Sequence, residues 1–187
     1  MVRIAVVALV LLGACGAGMV TTSNVYYIST YQPGVFGYAA GGRDLRVVVT
    51  GNPTAAPQEA FEQAVTDAMQ GKNWGPTTHF TTQPDSSARQ DYWVSMIFGG
   101  ARYIGDDAIC RGGGGRDIDP SARPVRLQAA FCGGDRPLAS LLATVDDIAS
   151  IDDPRLERVV AAAVVELFPL YDGTRDDDDC RRPLRKC

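Results

Sequence analysis

The most regular pattern of hydrophobic positions runs from Asp91 to Phe98, where the side chains alternate with a period of two residues. Because successive side chains of a strand point to opposite faces of a sheet, this period predicts a strand. One face of it carries Tyr92, Val94, Met96 and Phe98, and the opposite face carries Trp93, Ser95 and Ile97.

Two other segments show the helical period. The first begins at Pro57 and ends at Gly71, and the second follows Asp153 and stops at Pro169. Asp153 is a typical N-cap, and Pro154 suits the first helical position. The apolar residues that recur three and four positions apart are Phe61, Ala64, Val65, Ala68 and Met69 in the first segment and Leu156, Val159, Val160, Ala163, Val164, Leu167 and Phe168 in the second. This spacing predicts two amphipathic helices.

Shorter β-prone runs occupy the rest of the chain. Leu45–Val49 is rich in β-branched residues, and Thr77–Thr82 also has strand character. Val125–Cys132 and Leu138–Val145 flank a Gly-Gly-Asp-Arg-Pro turn and are typical of a β-hairpin. Leu138–Ile148 also fits the start of a helix, so two alternatives stay open there.

The order of these elements favours an α+β domain over residues 43–171. Strand, helix, about four strands and a final helix do not make the strand–helix alternation that builds a parallel α/β sheet. We therefore expect two layers, with a mostly antiparallel β-sheet and the two amphipathic helices on one face. The chain has 187 residues, of which 45% are hydrophobic, and this suits one domain.

The N-terminal segment has the pattern of a secretory signal. Arg3 precedes an apolar run from Ile4 to Leu12, which is too short to span a bilayer as a helix. The four residues Leu12-Gly13-Ala14-Cys15 then resemble the lipobox of bacterial lipoproteins. That resemblance implies removal of the signal peptide, residues 1–14, and acylation of Cys15 with chains such as palmitate.

The same resemblance implies a membrane location. Acyl chains on Cys15 would hold the protein on a membrane, with residues 15–42 as lipid anchor and flexible tether. Gly16 stands where an Asp would favour retention at the inner membrane. The expected location is the periplasmic face of the outer membrane, with the inner membrane as the alternative, and the domain resembles small lipoproteins of Gram-negative envelopes.

Five cysteines become an even set once Cys15 is assigned to the lipid. In an oxidising compartment the other four predict two disulfides. The simplest pairing joins Cys110 to Cys132 and Cys180 to Cys187, although a bond between Cys132 and Cys180 remains possible. A zinc site is less favoured because the chain has no C-x-x-C motif.

Charge argues against a nucleic-acid partner. The 18 Lys and Arg residues are outnumbered by 22 Asp and Glu, the net charge is −4, and no long basic stretch occurs. The C-terminal tail, residues 172–187, carries the acidic run Asp176–Asp179 followed by a basic run. The acidic run lacks the alternating ligands of a calcium loop, so neither a metal nor another cofactor is expected.

No motif assigns a catalytic residue. The single histidine, His79, is not accompanied in the sequence by a G-x-S-x-G motif, which would carry a nucleophilic serine. The four glycines of 112–115 are not followed by the Lys-Ser/Thr of a phosphate-binding loop. We therefore expect a non-enzymatic binding or assembly module of the envelope with a protein partner. Its contact surface would be the sheet face with Trp93 and Ile97. A periplasmic hydrolase that uses His79 and nearby carboxylates, or a carrier of a small apolar ligand, is the alternative.

Overall fold

A computed structural model describes residues 19–29, 31–100, 103–112 and 118–170. Its elements, in chain order, are β1 (Thr21–Tyr27), α1 (Pro33–Ala40), β2 (Asp44–Thr50), α2 (Gln58–Met69), β3 (His79–Thr81), β4 (Tyr92–Phe98), α3 (Asp106–Ile109), β5 (Val125–Gly133), β6 (Arg136–Val145) and α4 (Pro154–Leu167). The signal segment, Cys15 and the C-terminal tail with Cys180 and Cys187 lie outside the described residues, so the predictions for them stay predictions.

The strands form one open six-stranded sheet in the order β1-β6-β5-β4-β2-β3. The pairs β1–β6, β6–β5 and β5–β4 are antiparallel, whereas β2 is parallel to both β4 and β3. α2 carries the chain back so that β3 runs parallel to β2, and residues 82–91 then lead from the end of β3 to the start of β4. The predicted α+β class with a mostly antiparallel sheet is confirmed.

The main core lies between the sheet and the helices α1, α2 and α4. Phe36 of α1, Phe131 of β5 and Phe168 at the end of α4 meet there, with ring centroids 4.2 to 6.2 Å apart. Such offset and edge-on ring contacts add to the hydrophobic gain of burial. The predicted cap of α4 is present, since the Asp153 carboxylate accepts a hydrogen bond from the Arg155 amide at 2.9 Å.

The predicted tether is wrong for Thr21–Tyr27 and Pro33–Ala40, which belong to the folded domain as β1 and α1. The hydroxyl of Tyr27 donates to the carbonyl of Glu166 at 2.5 Å, and Tyr31 is only 3% exposed. The sequence pattern hides this because β1 joins the sheet at its edge, with six of its seven residues exposed. In α1 the buried residues are Phe36 and two alanines, so its apolar face is narrow.

The opposite face of the sheet is partly covered by residues 103–112. The structure joins Cys110 to Cys132 of β5 in a disulfide, as the simplest pairing predicts. Ile109 and Cys110 pack there on Ile97 and Ala130 in a second, smaller core. Ile97 is therefore 1% exposed, and the prediction that it belongs to a contact surface is wrong.

Two smaller differences concern strand length and type. β3 covers only His79–Thr81, three residues, because the chain beside it turns away into loops. Arg136–Val145 is a strand of ten residues, so the helical alternative is excluded by its pairing with β5. Gly134, with a φ of 62°, makes the tight turn of that hairpin, a conformation that favours glycine.

Candidate functional site

The parallel pairing of β2 with β3 places His79 directly beside Asp44. The Nδ1 atom of His79 lies 2.9 Å from Oδ1 of Asp44. The imidazole is 65% exposed, while the carboxylate is only 16% exposed. The two residues are 35 positions apart in sequence, so this contact exists only because of the strand register.

A loop over residues 84–90 is held against the same carboxylate. The amide of Asp85 donates to Oδ2 of Asp44 at 2.9 Å, and the amide of Asp44 donates to Oγ of Ser87 at 3.0 Å. Ser87 also donates its own amide to Oδ1 of Asp85 at 2.7 Å. Hydrogen bonds from Ser87 lower the pKa of Asp85, with a smaller contribution from His79, so Asp85 stays ionised.

His79 and Asp44 have the relationship of a base and its orienting acid. Hydrolytic triads use this arrangement, with the other ring nitrogen facing a nucleophile. No hydroxyl or thiol among the described residues hydrogen-bonds His79, and the nearby Oγ of Ser87 accepts a hydrogen bond from Asp44. The described contacts therefore supply a base and its orienting acid, two of the three groups of such a triad.

Beside this pair lies a cavity of about 440 Å³, which we call the arginine cavity. It is lined by Arg46 of β2 and by residues 84–86 and 88–90. The guanidinium carbon of Arg46 lies 5.4 Å from the ring centroid of Trp93, and that of Arg89 lies 3.7 Å from the ring centroid of Tyr38. Both charged groups are therefore positioned on aromatic rings.

A second cavity of about 430 Å³ lies beside the β5–β6 turn, and we call it the hairpin cavity. Its lining is mainly polar and comes from the end of β1, the hairpin and Arg111: Tyr26, Ile28, Arg111, Asp135, Arg136 and Pro137. Neither cavity lies between the sheet and the helices, which is where an apolar-ligand carrier needs one. Neither therefore supports the carrier alternative.

The outer edge of β1 is the third feature. Among the described residues, β1 pairs with β6 on one side and with no strand on the other. Val25 and Tyr26 are 40% and 41% exposed, and the strand contains no charged residue and no proline. Natural sheet edges are usually protected by such residues, so an edge without them is open to another strand.

The residues singled out in the sequence are only partly brought together. Trp93 lies half-buried beneath Arg46, and its indole donates to the carbonyl of Gly134 at 3.2 Å. Ile97 is buried in the second core. Cys110 and Cys132 form a disulfide and make no contact with His79. Sequence reasoning missed Asp44, Arg46 and the loop 84–90, because pairing across strands, not spacing, makes them neighbours.

Two further kinds of feature are absent from the described parts of the chain. Within residues 19–29, 31–100, 103–112 and 118–170, no group of three or more His, Cys, Asp and Glu residues is arranged to hold a metal ion. Over the same ranges, no helix has the length and apolar character needed to cross a bilayer.

Comparison with known proteins gives distant likenesses only. No family model matches the chain, and no curated protein matches it in sequence. Among solved structures, a single-substitution variant of the PelC dodecamer from Paraburkholderia phytofirmans is 14% identical, with a TM-score of 0.45, over 82% of this chain and 100% of that one. The PelC dodecamer in another crystal form is 11% identical, with a TM-score of 0.42, over 80% of this chain and 97% of that one. At TM-scores below 0.5, these likenesses support no statement about the assembly or activity of this chain.

Proposed function

We propose that this protein is a lipid-anchored envelope protein whose α+β domain binds or assembles with a protein partner through the outer edge of β1. We place it at the periplasmic face of the outer membrane, because Cys15 ends a lipobox-like sequence and is followed by Gly16 instead of Asp. The observation that carries the binding role is the open β1 edge: seven residues without charge or proline, paired on one side only among the described residues.

Edge strands bind partners through their main chain. A partner segment in extended conformation adds to the free side, where backbone hydrogen bonds provide affinity and exposed side chains provide specificity. In β1 the exposed side chains include Val25 and Tyr26. The register shift between Ser23 and Tyr26 divides the edge, so the partner strand is expected to pair most regularly on one side of this bulge.

The other edge of the sheet is a weaker candidate. β3, the strand at that edge, has only three residues. A segment so short gives a partner few backbone groups to pair with. This contrast is why the proposal places the partner on β1.

The anchor is tested with Cys15→Ser, and Cys187→Ser serves as the matched control. The wild-type protein and the control should fractionate with membranes and incorporate labelled palmitate. Cys15→Ser should lose both properties, since a serine hydroxyl is not the acceptor in lipoprotein maturation. Unchanged membrane association and labelling in Cys15→Ser would rule out the anchor.

The binding edge is tested by photo-crosslinking in living cells. A crosslinking amino acid replaces Val25 in one version and Val165 of α4 in the other, and these positions are 40% and 39% exposed. A discrete adduct, identified by mass spectrometry, is expected at position 25 and not at position 165. Adding Thr22→Lys, which places a charge on the edge, should reduce that adduct. Equal yields at both positions, or no adduct at position 25, would contradict the proposal.

A periplasmic hydrolase is the second candidate, favoured by the 2.9 Å contact between His79 and Asp44. Purified protein would then hydrolyse activated esters, and His79→Gln would lower the rate by roughly a hundredfold or more. Ser87→Ala tests the nearest hydroxyl as the nucleophile. A rate that is unchanged in His79→Gln rejects this candidate and leaves the binding role untouched.

A further inference from the structure

We propose that the hairpin cavity is the side-chain pocket of the β1 edge. It takes from the partner strand a long neutral side chain whose polar end both donates and accepts hydrogen bonds. The inference rests on the proposed docking role of β1 and adds the chemistry of the partner. It starts from Tyr26, which lines the cavity and is also 41% exposed on the edge strand.

The backbone of β1 shows which of its groups a partner strand can reach. The amide of Ile28 donates to the carbonyl of Leu138 at 3.0 Å, and Tyr27 lies opposite Ala139 in the register with β6. Successive residues of an antiparallel strand direct their backbone groups to opposite sides. Since Ile28 bonds to β6, the amide and carbonyl of Tyr27 face the free edge, where a partner strand would bond to them.

The side chains at this end of β1 place the cavity next to that partner strand. The hydroxyl of Tyr27 contacts Glu166 of α4 on the helix side of the sheet, whereas Tyr26 and Ile28 line the cavity with Arg111. Directly opposite residues of an antiparallel pair share a face, and diagonal neighbours about 7–8 Å apart are within reach of long side chains. The partner residue opposite Tyr26 therefore projects its side chain beside the cavity.

The charges around the cavity favour a neutral side chain. Arg111 and Arg136 line it together with Asp135. The amide of Gly134 donates to the carbonyl of Asp91 at 2.6 Å, which brings a second carboxylate to the same turn. Both signs of charge are thus present in equal number, so a charged partner side chain of either sign meets a like charge and also loses hydration.

The lining fits a side chain with an apolar stem and a polar end. Asp135 can accept a hydrogen bond and Arg136 can donate one, and neither side chain has a hydrogen bond or ion pair among the described residues. Ile28, Pro137 and the ring of Tyr26 offer contact to the stem. The phenol of a tyrosine and the amide of a glutamine both donate and accept. The partner strand is therefore expected to carry one of these two residues opposite Tyr26.

The test extends the photo-crosslinking in living cells to the cavity. The photoreactive amino acid replaces Arg111, which lines the cavity outside β1, or Arg126, which lies level with Thr21 at the other end of the sheet. Position 111 should capture the same partner as position 25, and position 126 should not. Peptide mapping should place the adduct at position 111 within two residues of a tyrosine or glutamine.

The outcomes separate the cavity from the edge. The partner captured at position 25 but not at position 111, or equally at positions 111 and 126, would overturn the pocket and leave the docking role of β1 standing. No adduct at position 25 would overturn both. An adduct at position 111 without a tyrosine or glutamine within two residues would overturn the assignment of the side chain.

Paired variants measure what the pocket contributes. Asp135→Ala with Arg136→Ala removes both polar groups without changing β1, and it should lower the yield of the adduct at position 25 by about tenfold, the scale of two hydrogen bonds. Asp152→Ala with Arg158→Ala removes the same charges beside and within α4 and should leave the yield unchanged. Asp135→Asn alone keeps an acceptor and should retain most of the yield. An equal yield in the two double variants would refute the pocket.

Discussion

The hydroxyl of Tyr27, at the end of β1, donates a 2.5 Å hydrogen bond to the main-chain carbonyl of Glu166 in the last turn of α4. Burial raises the pKa of Tyr27 to about 12, and the nearby Glu166 adds to the effect. The last carbonyls of a helix lack partners within the helix, so this hydroxyl satisfies one of them. This hydrogen bond therefore connects β1, at the edge of the sheet, to the end of α4.

Tyr27→Phe should lower the free energy of unfolding by about 1 kcal/mol, because it removes one partly buried hydrogen bond and keeps the ring. Urea denaturation followed by circular dichroism measures the change. Tyr26→Phe is the control, since Tyr26 is 41% exposed, and it should change stability by less than about 0.5 kcal/mol. Equal effects of the two variants would mean that the contact with Glu166 contributes nothing.

Phe36→Ala tests whether α1 is part of the core. Phe36 is 2% exposed and its ring centroid is 4.2 Å from that of Phe168. Removing it should leave a cavity and cost about 3–5 kcal/mol in chemical denaturation, whereas a residue in a flexible tether would cost nothing. Gly34→Ala on the same helix is the control: nothing lies within 4 Å of its added Cβ, so stability should stay the same or rise slightly.

The Cys110–Cys132 disulfide should raise the free energy of unfolding by about 3 kcal/mol, since it closes a loop across 22 residues. The variant with serine at both positions should lose that stability, and hydrogen exchange should rise in residues 103–112. A variant with serine at Cys180 and Cys187 is the control and should leave exchange in that segment unchanged. Peptide mapping without reductant should recover Cys110 linked to Cys132, and free thiols at both would contradict the pairing.

Acid should weaken the cap of α4. The hydrogen bond from the Arg155 side chain, the largest cause, lowers the pKa of Asp153 below its unfolded value of about 3.9. Because the pKa of Asp153 is lower in the folded than in the unfolded state, its ionised carboxylate stabilises the protein above about pH 4. That stability is lost as the pH falls through the folded pKa. Asp153→Asn should therefore flatten the decline of stability below pH 4, whereas Asp152→Asn should not. Unfolding curves between pH 2 and pH 7 measure the difference.

An element is predictable from the sequence when the spacing of its hydrophobic side chains shows which of its faces is buried. β4 and α4 have strict periods of two and about 3.6 residues, and the cap at Asp153 is local in sequence. β1 and α1 were missed because an edge strand buries little and because glycines and alanines leave α1 without a broad apolar stripe.

The site was harder to predict than the fold. His79 stands out as the single histidine, but its partner Asp44 is set by the parallel pairing of β2 with β3. Arg46 and Trp93 meet for the same reason on β2 and β4. Spacing along the chain contains no signal for such pairs, because strand order is decided by the packing of the whole sheet.

The direction of β1 decides which end of its free edge would lie nearest the anchor of the proposed lipidated protein. Six residue steps separate Cys15 from Thr21, so the acyl chains hold that strand start within about 22 Å of the bilayer. From there β1 runs from beside Thr144 towards Ala139, and both cavities lie at the end where it finishes. In the proposed lipidated protein, the Thr21 end of the free edge is thus the end nearest the membrane anchor, and the start of β2 and the loop 84–90 lie at the opposite end.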